Sequence, residues 1–231
     1  MTAIKRFYKE VSLGERDGSF AILLDGRTAK TAGRQDLAAP EALAEALREE
    51  WDAQDEEIRL DRMPLTRLHG FALDAGHRGR EEFIATMVSY AGSDLLCYRA
   101  SESDLAARQQ QLFAPFLERA EADGLNFRMV EGIVPVEQPE ETLDRLEGML
   151  AERPITELLA RKLLTEILGS VILASYAEKD PENAFAAARL DETYQAEAWG
   201  QDNEAAEKEK ALRRDYGDVL RYLELAGSLS V

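Results

Sequence analysis

The sequence predicts an α+β fold class: a small N-terminal α+β domain of short antiparallel strands plus a helix, followed by an all-α helical domain. Three observations point there. Two Asp-Gly pairs, Asp17-Gly18 and Asp25-Gly26, separate short apolar runs near the N-terminus, and such pairs favour tight hairpin turns. At Pro40 the apolar spacing changes to the i, i+4 period of a helix. Beyond Pro64 that helical period dominates. Two domains are expected, residues 1–62 and 63–231, with the boundary between 60 and 78.

Phe7 to Leu13 and Phe20 to Leu24 are the first strand candidates, and Arg27 to Thr31 follows the second Asp-Gly pair. Pro40 suits a first helical turn, where its missing N–H costs nothing, and Glu41 complements the helix dipole there. Leu43, Leu47 and Trp51 then share one face. The acidic stretch Asp52 to Glu57 ends this helix, Ile58 to Leu60 returns as a strand, and Met63-Pro64 starts the next element.

Leu65, Leu68 and Leu73 mark a helix ending near Gly76. Phe83 to Val88 mark a second, closed by Gly92. Leu105 to Leu117 mark a third, with Pro115 a point for a kink. An extended excursion is expected between Gly124 and Val136, including Ile133. Pro139 opens an acidic helix, and Pro154 opens the most apolar one, Ile155 to Ala177. A helix around Arg189 to Gly200 follows, then a charged tail from Asp202 to Arg214 that continues to Leu225 and frays at Gly227-Ser228.

Composition narrows the function. The 231 residues carry 28 Lys+Arg against 45 Asp+Glu, a formal charge of −17. That charge repels phosphate backbones and anionic lipid, arguing against nucleic acid and membrane surfaces. The longest apolar run, Ile167 to Ala177, is too short to span a bilayer. Cys97 is the only cysteine, so no intramolecular disulfide can form; its apolar neighbours suggest a buried, inert thiol. The two histidines, His69 and His77, lack further ligands nearby and read as exposed or locally bonded, so no metal site is expected. Gly-rich phosphate loops and Gly-x-Ser-x-Gly elbows are both missing, which argues against nucleotide binding and a serine nucleophile. No cofactor is expected.

The Arg189–Gly200 segment is the candidate surface. At 100° per residue, Ala187, Leu190, Tyr194 and Ala198 form one apolar stripe, expected to pack on the Ile155–Ala177 helix. Phe185, Glu192 and Trp199 fall on roughly the opposite side, and Asp191 lies at the margin of the first stripe. A second aromatic stripe asks for a second surface to pack against, either another part of the fold or another protein. Trp51 ends its own apolar stripe and reads most simply as core.

Several motifs occur in series: Asp25-Gly26-Arg27 with Lys30-Thr31, Glu50-Trp51, Met63-Pro64-Leu65-Thr66-Arg67-Leu68, Asp94-Leu95-Leu96-Cys97-Tyr98, and Leu190-Asp191-Glu192-x-Tyr194-Gln195 with Trp199-Gly200. Together they closely resemble the F1-ATPase assembly chaperone family dedicated to the alpha subunit of ATP synthase. The chain departs from the family pattern at Ala32 and across His69-Gly70-Phe71-Ala72. The resemblance implies a non-enzymatic chaperone that holds free alpha subunit until the beta subunit displaces it. It implies a bacterial, cytoplasmic member, because no import segment precedes Arg6. It also ties Asp191 and Trp51 to function. The expected partner-binding residues are therefore Asp191, Glu192, Trp199 and Trp51. The alternative is a small hydrolase or isomerase using carboxylates alone, but adjacent Asp191 and Glu192 point about 100° apart on a helix. A structural subunit of a stable complex is the third reading.

Overall fold

A computed structural model describes residues 4–132, 134–200 and 203–227 of the chain; Ile133, Asp202 and Ser228 lie outside the described residues. In chain order the elements are β1 (Ile4–Lys5), β2 (Val11–Arg16), β3 (Ser19–Leu24), β4 (Arg27–Thr28), β5 (Ala38–Ala39), α1 (Glu41–Asp52), β6 (Glu57–Ile58) and α2 (Pro64–Ala91, interrupted at Gly76). They continue with β7 (Tyr98–Arg99), α3 (Ser103–Ala122), β8 (Val130–Glu131), α4 (Glu140–Ala151), α5 (Ile155–Leu168), α6 (Val171–Tyr176), α7 (Pro181–Ala188), α8 (Leu190–Trp199) and α9 (Asn203–Ala226). The predicted α+β class holds: strands concentrate at the N-terminus and helices dominate beyond it.

Two compact units organise the chain, one from Met1–Arg80, Pro154–Ala160 and Asp218–Val231, the other from Glu81–Arg153 and Arg161–Gly217. In the first, β3 is the centre of an antiparallel sheet, with β2 on one side and β4 and β5 sharing the other. Both Asp-Gly pairs make the expected turns, with φ of 51° and 78° at Asp17 and Gly18 and 48° and 77° at Asp25 and Gly26. Positive φ at both central residues matches the right-handed twist of the flanking strands. The strand expected from Phe7 starts later, as β2 at Val11. Asp25 receives the backbone N–H of Lys9 and Glu10 on its carboxylate, which holds that stretch out of the ladder.

Helix α1 covers the sheet, burying Leu43, Leu47 and Trp51 as the spacing predicts. A tie between α1 and α2 was not legible in sequence. Glu50 carries its carboxylate to the backbone N–H groups of Leu65 (2.9 Å) and Thr66 (2.8 Å) in the first turn of α2. These amides have no partner within the helix. Burial raises the Glu50 pKa, opposed by those two hydrogen bonds. Replacing Glu50 with Ala should destabilise the protein by about 1–2 kcal/mol, the scale of a lost helix cap, measurable as a lower urea midpoint. Glu50→Gln, which keeps one acceptor, should lose less.

His69 corrects the sequence reading. It is buried, and its ring nitrogens lie 3.2 Å from the Tyr222 hydroxyl and 2.8 Å from the Ala38 carbonyl oxygen. Both partners are remote in sequence, so local reasoning could not find them. The C-terminal stretch expected as a charged tail is the helix α9, which buries Tyr216, Val219, Tyr222 and Leu223.

The second unit contains Asp94, which is fully buried. The apolar run expected as one helix from Ile155 to Ala177 is broken: Gly169 takes a φ of 65°, Ser170 is extended, and α6 starts at Val171. Asp94 meets that break. One carboxylate oxygen accepts from Leu96 N–H (3.0 Å) and the Ser170 hydroxyl (2.7 Å), the other from Val171 N–H (2.8 Å) and Ile172 N–H (3.2 Å). The Ser170 hydroxyl in turn accepts from Leu173 N–H. Burial outweighs these donors and raises the Asp94 pKa to about 6. Helix α3 continues through Pro115, and the expected excursion after Gly124 supplies β8, which pairs in parallel with β7.

Cys97 is buried, and desolvation, with Asp94 nearby, pushes its pKa up to about 12. A thiol held protonated and covered is a poor nucleophile. Ellman's reagent should leave the folded protein unlabelled over an hour at pH 8 and label one thiol per chain in guanidinium.

Candidate partner-binding surfaces

Helix α8 contains the Leu-Asp-Glu-x-Tyr-Gln motif. Arg189, at φ −108° and ψ 8°, breaks the helix between α7 and α8. The continuous stripe expected from Ala187 to Ala198 is therefore divided. Phe185 sits buried in α7 against the ring of Tyr216 (5.2 Å) rather than in line with Trp199. Leu190 is the buried residue of α8, while Ala198 is exposed. The expected packing on the Ile155–Ala177 segment is also corrected: α8 sits chiefly on α3 and α7.

The contacts of α8 with α3 are polar. The Asp191 carboxylate, half-buried, accepts from Gln109 Nε2 at 3.1 Å. Tyr194 donates its hydroxyl to Glu102, which raises the Tyr194 pKa. Arg108 reaches Glu197 at 2.7 Å and lies 5.2 Å from the Tyr194 ring centroid. Glu192 is exposed and pairs with Arg189 at 2.8 Å. Trp199 is 88% exposed at the last turn, where Gly200 ends the helix with a φ of 84°. Asp191 and Glu192 thus answer to different partners, Gln109 and Arg189, and do not converge on one atom.

Trp51 belongs to the other unit. It is 8% exposed, and its backbone carbonyl accepts from the Tyr8 hydroxyl at 2.6 Å. The Tyr8 ring stands edge-on to it at 5.7 Å, Phe7 follows at 5.4 Å, and the Arg6 guanidinium covers Tyr8 at 4.5 Å. Phe7 is 68% exposed. These rings border a groove of about 630 Å³ whose other wall includes Arg27, Thr28 and Lys30. The indole N–H of Trp51 is buried without a hydrogen-bond partner among the described residues. Trp51 is core, as its spacing suggests, and also an edge of this groove. Phe7 was missed because a single aromatic before a strand gives no periodic signal.

Among the described residues no cluster of three His, Cys, Asp or Glu side chains is placed to hold a metal ion, and no helix is long and apolar enough to cross a membrane. Residues 5–121, just over half of the chain, match the family described as ATP12 chaperone protein. The chain belongs to the ATP12 chaperone family. Membership makes it a chaperone of ATP synthase assembly. The crystal structure of Atp12 from Paracoccus denitrificans is 33% identical and superposes with a TM-score of 0.91, over 96% of this chain and 98% of that one. The Atu1473 protein of Agrobacterium tumefaciens is 37% identical with a TM-score of 0.87, over 95% of this chain and 85% of that one. The mitochondrial protein atp12 of Schizosaccharomyces pombe is 25% identical over 223 residues, covering 89% of this chain and 77% of its relative. The ATP12 similarity to solved structures thus extends through α8, beyond the residues that the family match covers.

Proposed function

We propose that this ATP12-family chaperone binds the free alpha subunit of the F1 sector and prevents its aggregation until the beta subunit replaces it. The family match over residues 5–121, together with the structural likeness to Paracoccus denitrificans Atp12 over 96% of the chain, supports this reading. An unassembled subunit exposes apolar surface that its neighbour would cover, and large exposed patches aggregate. A masking protein needs an apolar contact that can be withdrawn. Trp199 on α8 offers one, with Glu192 exposed on the same helix, and the net charge of −17 on this chain favours solubility. The proposed partner-binding surface is built in one unit on α8, where Glu192 and Trp199 are exposed and Asp191 ties the helix to α3, and in the other on Trp51 through its groove.

The divergent engagement of Asp191 with Gln109 and Glu192 with Arg189 favours this reading over acid–base catalysis by the pair. The bacterial origin of two of the relatives is in keeping with a cytoplasmic site of action. The test is a capture experiment with purified subunits. The chain should retain alpha subunit and release it on addition of beta; retention of beta alone would argue for a different client.

A further inference from the structure

We infer that Gln109 is a positioning residue that sets the orientation of α8 through Asp191, so that Asp191 presents the client surface and does not itself meet the client. The inference rests on α8 being that surface. Gln109 is 4% exposed, and its Oε1 accepts the backbone N–H of Ala100 at 2.8 Å. That bond fixes which end of the amide is oxygen, and so directs the NH2 group at Asp191, 3.1 Å away. The Asp191 carboxylate is turned inward toward α3 rather than out to solvent.

Among the described residues, the other polar ties of α8 are weaker. Leu190, at its first residue, is its buried side chain. The contacts made by Tyr194 with Glu102 and by Arg108 with Glu197 lie at exposed positions, where ion pairs and hydrogen bonds contribute little. The Gln109–Asp191 bond is part-buried and carries a charge on its acceptor, which makes it the strongest polar tie of the set. Trp199 lies eight residues, about two helical turns, beyond Asp191. A change of docking at Asp191 therefore moves the exposed indole by a large lever arm.

Substitutions separate positioning from direct contact. Asp191→Asn keeps an oxygen that accepts from Gln109 but removes the charge. Gln109→Glu still accepts from Ala100 but sets a second carboxylate against Asp191. Combining Gln109→Glu with Asp191→Asn restores a donor–acceptor pair with its direction reversed. Binding of purified alpha subunit to the full chain is measured for each. Positioning predicts Asp191→Asn and the double variant within about threefold of the unaltered chain and Gln109→Glu at least tenfold weaker. If Gln109→Glu does not fold, Asp191→Ala replaces it, with the same tenfold loss expected. The inference is overturned if Asp191→Asn binds as poorly as Gln109→Glu, since the client then reads the charge directly. It is also overturned if Gln109→Glu binds normally while Trp199→Ser does not, an outcome that leaves the surface intact. Normal binding by all variants, Trp199→Ser included, removes the surface itself.

Discussion

Replacing Asp94 with Ala should cost about 3–5 kcal/mol of folding stability, more than any other single substitution proposed for this chain. The mechanism is the stranding of buried donors. Four groups, the N–H of Leu96, Val171 and Ile172 and the hydroxyl of Ser170, converge on a carboxylate that is entirely removed from solvent. Each unsatisfied buried donor costs about 1–3 kcal/mol, partly recovered by local relaxation. The effect should appear as a lower urea midpoint with unchanged slope. Asp94→Asn offers one oxygen where two were needed and should lose less.

The two forms of Asp94 also predict a pH dependence with a definite sign. Its folded pKa is raised from 3.8 to about 6. A raised folded pKa means the native state binds the proton more tightly than the unfolded chain. The resulting stabilisation is full below about pH 4 and is lost as pH rises through 6. Asn cannot titrate, so the stability advantage of the natural residue over Asp94→Asn should shrink from pH 4 to pH 7. The rise from 3.8 to about 6 sets the size of that change at about 3 kcal/mol. An advantage that grows with pH would show instead that the four donors outweigh burial.

Trp199→Ser should reverse the pattern, leaving stability intact and weakening alpha-subunit capture. With 88% of the residue exposed, truncation removes almost no internal contact, and such surface changes stay within about 0.5 kcal/mol. Tryptophan dominates binding energy when a partner covers it, at about 2 kcal/mol or more, or roughly 30-fold in affinity. Unchanged melting with at least a tenfold loss of capture is the expected result. Loss of both would place Trp199 in the fold rather than in the interface.

These two positions show what the sequence could and could not reveal. Local signals were legible. The Asp-Gly turns, the Leu43–Leu47–Trp51 face and the starts at Pro40, Pro64 and Pro139 follow from backbone chemistry within a few residues. Breaks that depend on remote partners were not. The apolar run from Ile155 looked continuous because Gly169 and Ser170 suit several conformations, and the residue that stabilises the break, Asp94, lies 76 residues before Ser170. The interruption at Arg189 was hidden in the same way, since a helix-compatible sequence continues across it. For the candidate surface, helical periodicity put Glu192 and Trp199 on an outward side, and both are exposed. It also put Phe185 there, which the Arg189 break sends into the core. Asp191 was singled out by family resemblance, and its partner Gln109 had no sequence signal because a glutamine inside an amphipathic helix is ordinarily solvated.

The most direct test of the account mixes the purified chain with isolated alpha subunit, isolated beta subunit, and both together, followed by light scattering and size-exclusion chromatography. The predicted result is a complex with alpha that suppresses its aggregation, no complex with beta alone, and loss of the chaperone from alpha once beta is added. A stable complex with beta alone, or aggregation of alpha unaffected by the chain, would contradict it.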